Sequence, residues 1–177
     1  AYDEVCGEIF MKQYGPRIIN LIGSSAVNPD SKTEVLGTAD KGIKVTLYKI
    51  NSLDKTNIEL LNLYYFRTMH HEFAHILHQT KNYPIEFNEI SVDNYSPTGW
   101  MNRTNEQAHR MGFVSNYASS EAREDFVEVI ANFLTRTDAD WNGILRQATF
   151  TDEEAKEELP DKQATGTGNG KTIILSK

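Results

Sequence analysis

Met69-His70-His71-Glu72-Phe73-Ala74-His75-Ile76-Leu77-His78 contains His-Glu-x-x-His, a spacing that places two imidazoles and a carboxylate on one helix. Residues four apart on an α-helix lie one above the other on the same face, so His71 and His75 can each offer a ring nitrogen to an ion about 2 Å away. Zn2+ suits such a pair. Glu72 then stands beside the metal, where a carboxylate can take a proton from a water that the ion has acidified towards neutrality. At about 100° per residue, Phe66, Met69, Phe73, Ile76 and Leu77 gather in one arc of the helix, and His71, His75 and His78 point from the opposite arc. Imidazoles held together opposite a packed face need a partner, and a metal satisfies them.

The flanking sequence sets the length of this helix. Thr56-Asn-Ile-Glu59 reads as a capping box at its start, and the helix runs to about Thr80 before Asn82 and Pro84 stop it. Upstream, residues 1 to 14 carry apolar residues at helical spacing and are closed by Gly15-Pro16. Arg17 to Ile22 reads as a buried strand, and Asn28-Pro29-Asp30-Ser31 as a turn. In Ile43 to Tyr48, Ile43, Val45 and Leu47 alternate with Lys44, Thr46 and Tyr48, which predicts a half-exposed strand. At a sheet edge beside the metal it could pair with an extended peptide; a purely structural strand accounts for the pattern equally well.

Downstream, residues 82 to 103 read as an irregular, aromatic-rich connection that either walls a cleft or packs its own rings. Thr104-Asn-Glu-Gln107 is a second capping box, opening a short helix to about Phe113. Ser119-Ser120 is expected to cap a third helix whose apolar face is Phe126, Val129, Ile130, Phe133 and Leu134, with Glu124 and Glu128 on the other face one turn apart. A short helix over Trp141 to Leu145, an acidic run from Asp152 to Glu158 and a flexible linker over 161–170 complete the chain.

The 177 residues fit one domain, and their 39% hydrophobic and 24% charged content is that of an ordinary globular protein. No apolar run approaches the roughly 18 residues of a membrane span. A net charge of −7 without a basic stripe argues against nucleic acid as a partner. Cys6 stands alone, so no internal disulfide can form. The start at Ala1 and the apolar element opening at Lys171 suggest a piece of a longer protein.

Catalytic zinc usually takes three protein ligands and keeps one position for water. His78 shares the histidine face, but a straight helix separates it from His71 by roughly 10.5 Å of rise, too far for one ion with about 2 Å bonds. His78 is therefore read as supporting a ligand or as structural. A carboxylate from a downstream helix would complete a His2Glu set, and Glu124 and Glu128 are both candidates; a solvated acidic face is the alternative.

Asn116-Tyr-Ala-Ser-Ser-Glu-Ala-Arg-Glu-Asp-Phe-Val-Glu128, following His-Glu-Phe-Ala-His, resembles the gluzincin metalloproteases of lethal-factor type. The resemblance implies that Glu124 is the third zinc ligand, that Tyr117 helps to stabilise the oxyanion, and that Glu128 supports a zinc histidine. The longer set of Leu-Ile-Gly-Ser at 21–24, Leu-Gly-Thr-Ala-Asp at 36–40 and His-Glu-Phe-Ala-His-Ile-Leu-His-Gln at 71–79 is similar to zinc metallopeptidase lipoproteins that accompany nutrient-import systems of Bacteroides-type bacteria. That kinship implies an exported protein, periplasmic or at the cell surface, lipid-anchored and beside an outer-membrane import system. Cys6 lacks the context of a lipid-bearing cysteine, so the anchor rests on kinship alone.

The expectation is an α+β, zincin-like fold: a small mixed sheet over the metal helix, and a mainly helical second lobe. The expected activity is zinc-dependent hydrolysis of peptide bonds in a peptide or protein, with Glu72 and Tyr117 catalytic and His71, His75 and Glu124 on the metal. The rival is a non-catalytic, metal-stabilised surface module that binds peptide or glycan for import. Glu72 favours the enzyme, because a structural site needs no base and normally closes its fourth position.

Overall fold

The structure is a computed structural model that describes residues 2–148, together with the short segments 165–166 and 173–174. The chain divides into two compact units, Ala1–Tyr83 with Phe133–Thr135, and Pro84–Asn132 with Arg136–Lys177.

In the first unit, α1 (Tyr2–Tyr14) is followed by β1 (Ile18–Leu21), β2 (Ala26–Val27), β3 (Glu34–Val35), β4 (Gly37–Asp40) and β5 (Lys44–Leu47). The expected N-terminal helix is present, interrupted at Gly7, where φ is 77°. β2 and β3 form a small hairpin, and its turn is held by the Asn28 side chain, which accepts from the Asp30 and Ser31 amides. The main sheet has the order β1-β5-β4, parallel between β1 and β5 and antiparallel between β5 and β4.

Two strand expectations change here. The strand expected to be half-exposed is β5, and of the two roles left open for it the structural one holds: it is central, pairs on both sides, and Val45, Thr46 and Leu47 are all buried. It therefore has no open edge to offer a peptide. Residues 18 to 21 do form a strand, but not a buried one: β1 is an outer strand in which Ile18, Ile19 and Leu21 are 50%, 60% and 55% exposed.

β4 turns into β5 through Asp40–Ile43, closed by the Ile43 amide on the Asp40 carbonyl at 3.1 Å. Lys41 and Gly42 both have positive φ, 54° and 67°, which matches the twist a hairpin requires. Lys44 and Asp40 pair at 2.8 Å beside the turn.

The motif helix is one continuous helical run in three parts: α2 (Ile58–Leu60), a π-helical segment (Leu61–Phe66) and α3 (Arg67–Thr80). Its cap is Asn57, whose side chain accepts from the Leu60 amide at 3.1 Å, and not Thr56 as the capping box suggested. Thr56 is drawn backwards: its amide and hydroxyl both donate to Asp54, at 2.9 and 2.6 Å. Those bonds, the hydroxyl's first, hold the Asp54 carboxyl below the ordinary carboxylate range. The end at Thr80 is as expected, with Lys81 extended beyond it.

α3 is fixed on the sheet by its last turn. The Gln79 side chain accepts from the Gly42 amide at 2.6 Å and donates to the Ala39 carbonyl at 3.2 Å, so one carboxamide ties the helix to both limbs of the β4–β5 hairpin. Between them lie Val45, Leu47 and Ile76, with Ala39, Ile50, Tyr65 and Met69 packed against that core. Each such burial stabilises by roughly 1.5–3 kcal/mol before entropy is counted.

The second unit is mainly helical: α4 (Phe87–Ile90), α5 (Asn105–Arg110), α6 (Ala122–Thr135, with Phe133–Thr135 grouped in the first unit) and α7 (Asp138–Gln147), with 3-10 turns at Val92–Asn94, Gly99–Asn102 and Tyr117–Ser119. Residues 82 to 103 are thus short helical turns that pack their rings: Phe87 on Phe126 at 5.4 Å and Tyr95 on Phe113 at 5.5 Å. The Thr104 capping box forms with both bonds, but α5 ends at Arg110, before the expected Phe113. α6 begins after Glu121, while Ser119 closes the preceding 3-10 turn, so the cap lies one residue beyond the serine pair. α7 is longer than the expected Trp141 to Leu145, because Thr137 caps it through the Asp140 amide.

The acidic run 152–158 lies outside the described residues. Of the expected linker over 161–170, the described part is 165–166, which pairs antiparallel with 173–174. No helix among the described residues is long and apolar enough to cross a membrane.

Candidate metal centre

α3 carries His71 and Glu72 side by side and His75 one turn further on, with His71 and Glu72 buried at 8% and 6% exposure and His75 half-buried. The Nε2 atoms of His71 and His75 face one another at 3.1 Å. Two imidazole ligands at about 2.05 Å from a tetrahedral ion are separated by roughly 3.3 Å, so this spacing already fits one. The Nδ1 of His75 lies 2.9 Å from the Nε2 of His78. If His75 donates there, its Nε2 carries a lone pair towards His71, and two lone pairs so close call for a cation or a proton between them.

His78 therefore stands behind His75, the supporting place inferred from helix rise, and its ring rests edge-on against Tyr83 at 5.9 Å. A ring hydrogen bond of this kind fixes the tautomer and direction of a ligating histidine. His70, next in sequence, is half-buried, and burial pushes its imidazole below the usual histidine range.

Ligand atoms of His71, His75 and Glu124 all lie within 4.8 Å of one another. This is a candidate metal cluster of two nitrogens and one carboxylate oxygen, a donor set that fits zinc. Glu124 comes from the first turn of α6 and is half-buried.

Glu128, one turn further along α6, is buried at 5% exposure. It accepts from the Ser115 hydroxyl at 2.6 Å and from the Asn132 carboxamide at 3.3 Å. Asn132 in turn accepts from Arg136 Nε at 2.9 Å, so Glu128 is held in a polar chain inside the helical unit. Tyr117 sits in its 3-10 turn with its ring edge-on to Trp100 at 4.8 Å.

Sequence reasoning missed Ser115 and Asn132, and it missed Gly37, whose backbone approaches Glu72. A glycine in a strand can mark such a close approach, but β4 is itself hard to read as a strand in the sequence.

Residues 1–165 match a family described as "Putative zinc-binding metallo-peptidase". Among solved structures, the chain is similar to a protein from Bacteroides caccae whose crystal structure is described in the same words. The identity is 46% and the TM-score 0.67, over 89% of this chain and 59% of that one. The present chain thus spans about three fifths of the length of that relative. No curated protein matches it.

Proposed function

The chain belongs to this zinc-binding metallopeptidase family, and from that premise we propose that it holds Zn2+ on His71, His75 and Glu124 and hydrolyses peptide bonds in a peptide or protein substrate. The observation that carries the proposal is the convergence of those three ligand atoms, with Glu72 adjacent on the same helix.

Zinc bound there supplies Lewis acidity towards a carbonyl and lowers the pKa of water. Glu72 takes the proton of the attacking water and passes it to the leaving amine nitrogen as the C–N bond breaks. The Tyr117 hydroxyl donates to the oxyanion that develops on the carbonyl oxygen. His78 keeps the His75 ring in its ligating orientation. β4, an outer strand of the sheet that runs against α3, takes over the peptide-pairing role first considered for β5.

The test is elemental analysis followed by a peptide library. About one zinc per chain, with turnover that chelation abolishes and zinc restores, is the expected outcome. Stoichiometric zinc without cleavage of any peptide would instead favour the non-catalytic surface module. On the resemblance to import-associated lipoproteins, the full-length protein is read as exported and lipid-anchored, which labelled fatty-acid incorporation in the native host tests.

A further inference from the structure

The structure assigns Gly37 as the positioning residue that seats the Glu72 carboxylate, a role that rests on Glu72 being the base proposed above. The packing behind it stands by itself. A Cβ built on Gly37 would lie 2.6 Å from Glu72 Cγ, 2.8 Å from Glu72 Oε1 and 2.9 Å from Thr68 Cγ2. Side chains do not approach one another so closely, so any residue other than glycine here must move something.

Backbone conformation does not explain the glycine. Positive φ occurs at Gly7, Gly42 and Gly112, and Gly37 is not among them. A glycine in a strand loses entropy and packs nothing, and Gly37 opens β4, so its presence there points to the space it leaves free.

None of the surrounding parts can yield easily. Gly37 lies opposite Leu47 in the β4–β5 ladder, and the Tyr48 amide holds the adjacent Leu36 carbonyl at 2.9 Å, so the strand cannot back away without loosening the sheet. Thr68 is fixed by its hydroxyl, which donates to the Tyr64 carbonyl at 2.6 Å. Glu72 is buried, and the nearest approach is at its Cγ, in the middle of the side chain where a terminal rotation gives no relief. A methyl group at position 37 therefore displaces the Glu72 side chain, and displacing a reacting group by about 1 Å can cost roughly a hundredfold in rate.

The test is Gly37→Ala combined with Glu72→Ala in a thermal-melting cycle on the protein as purified, which needs no substrate. Gly37→Ala alone should lower the melting temperature by about 5 °C, the scale of overpacking in a chain of this size. In the Glu72→Ala background, where Cγ and the carboxylate are gone, most of that loss should vanish. In a Thr68→Ser background most of it should remain. If Gly37→Ala fails to fold but the double variant with Glu72→Ala folds, the assignment stands. Equal losses with and without Glu72, failure of both variants to fold, or no loss at all would overturn it.

A second arm reads the role in catalysis. Gly37→Ala should keep zinc affinity within a few-fold and lower kcat by tenfold or more, with KM changed little. Added to Glu72→Gln it should cost nothing further in kcat, because both changes act through the same carboxylate. A full further loss in the double variant would overturn the positioning role. A protein that shows no turnover at all leaves the melting cycle as the deciding measurement, so failure of the hydrolase reading and failure of the Gly37 assignment are told apart.

Discussion

His78→Ala removes the group that stands 2.9 Å behind the proposed zinc ligand His75. With His75 ligating through Nε2, its Nδ1 carries the ring proton, and the substitution takes away the acceptor that this N–H faces. An orphaned donor of that kind costs about 1–3 kcal/mol, and a typical hydrogen bond is worth about 0.5–1.5 kcal/mol net. The tether also holds the ring direction, so the cost falls mainly on the metal-bound state, where His75 Nε2 must stay aimed at the ion. At about 1.4 kcal/mol per decade, the expected loss in zinc affinity is roughly 10- to 100-fold, the range found when such supporting groups are removed elsewhere. Competition against a chromophoric chelator at fixed pH measures it. His78→Gln should recover part of the affinity, since a carboxamide oxygen can accept the same N–H. Melting of the metal-free protein separates the two roles: a purely structural His78 would lower the melting temperature and leave zinc affinity alone. His78→Ala binding zinc within about twofold of the unmodified protein would refute the argument that this ring orients His75.

Glu72→Gln should retain zinc and lose roughly a hundredfold or more in kcat, because the proposed role is proton transfer; comparing zinc content with turnover checks both halves. Glu124→Ala should abolish tight zinc binding, leaving two imidazoles on one helix, and titration against the same chelator will show whether it does. Gln79→Ala deprives the Gly42 amide and the Ala39 carbonyl of their side-chain partner, so a stability loss of about 1–3 kcal/mol is expected in urea unfolding.

The parts of the site legible in the sequence are those set by local periodicity. His71 and His75 meet because four residues make about one helical turn, and the distance from His71 to His78 places His78 behind the pair by the same arithmetic. Sequence periodicity cannot bring Glu124 to them, since 49 residues separate it from His75 and no repeat links the two helices. Both Glu124 and Glu128 lie on α6 with similar spacing, and the choice between them came from family resemblance. The structure differs in what surrounds each: Glu124 joins the histidine cluster, whereas Glu128 is tied to Ser115 and Asn132. The starts of α5 and α6 are legible to within a residue from their local caps, whereas α7 begins three residues before the expected Trp141, at its Thr137 cap. At Thr56 the pattern misled, because Asp54 offered its hydroxyl and amide a closer acceptor.

The central place of β5 is hidden in the sequence by the strand beside it. β4 is four residues long, and the positions that alternate with Thr38 and Asp40 are Gly37 and Ala39, too small to announce a strand, so sequence pattern gives it little weight. The turn that follows it hides its signal as well, since one of its two positive-φ positions is occupied by Lys41 where asparagine or glycine would have announced a hairpin. Without β4, β5 has an open side and reads as the edge; with it, β5 is sealed and its alternation is overridden by burial on both faces. The properties that concealed β4 also suit it to its place. A strand with a large residue at position 37 would be easier to recognise and could not lie against Glu72, and a β-branched residue at position 42 would resist the positive φ and press on Thr80, whose methyl is 2.7 Å from where a Cβ would sit. Close packing of the hairpin on α3 thus requires the small residues that weaken its sequence signal.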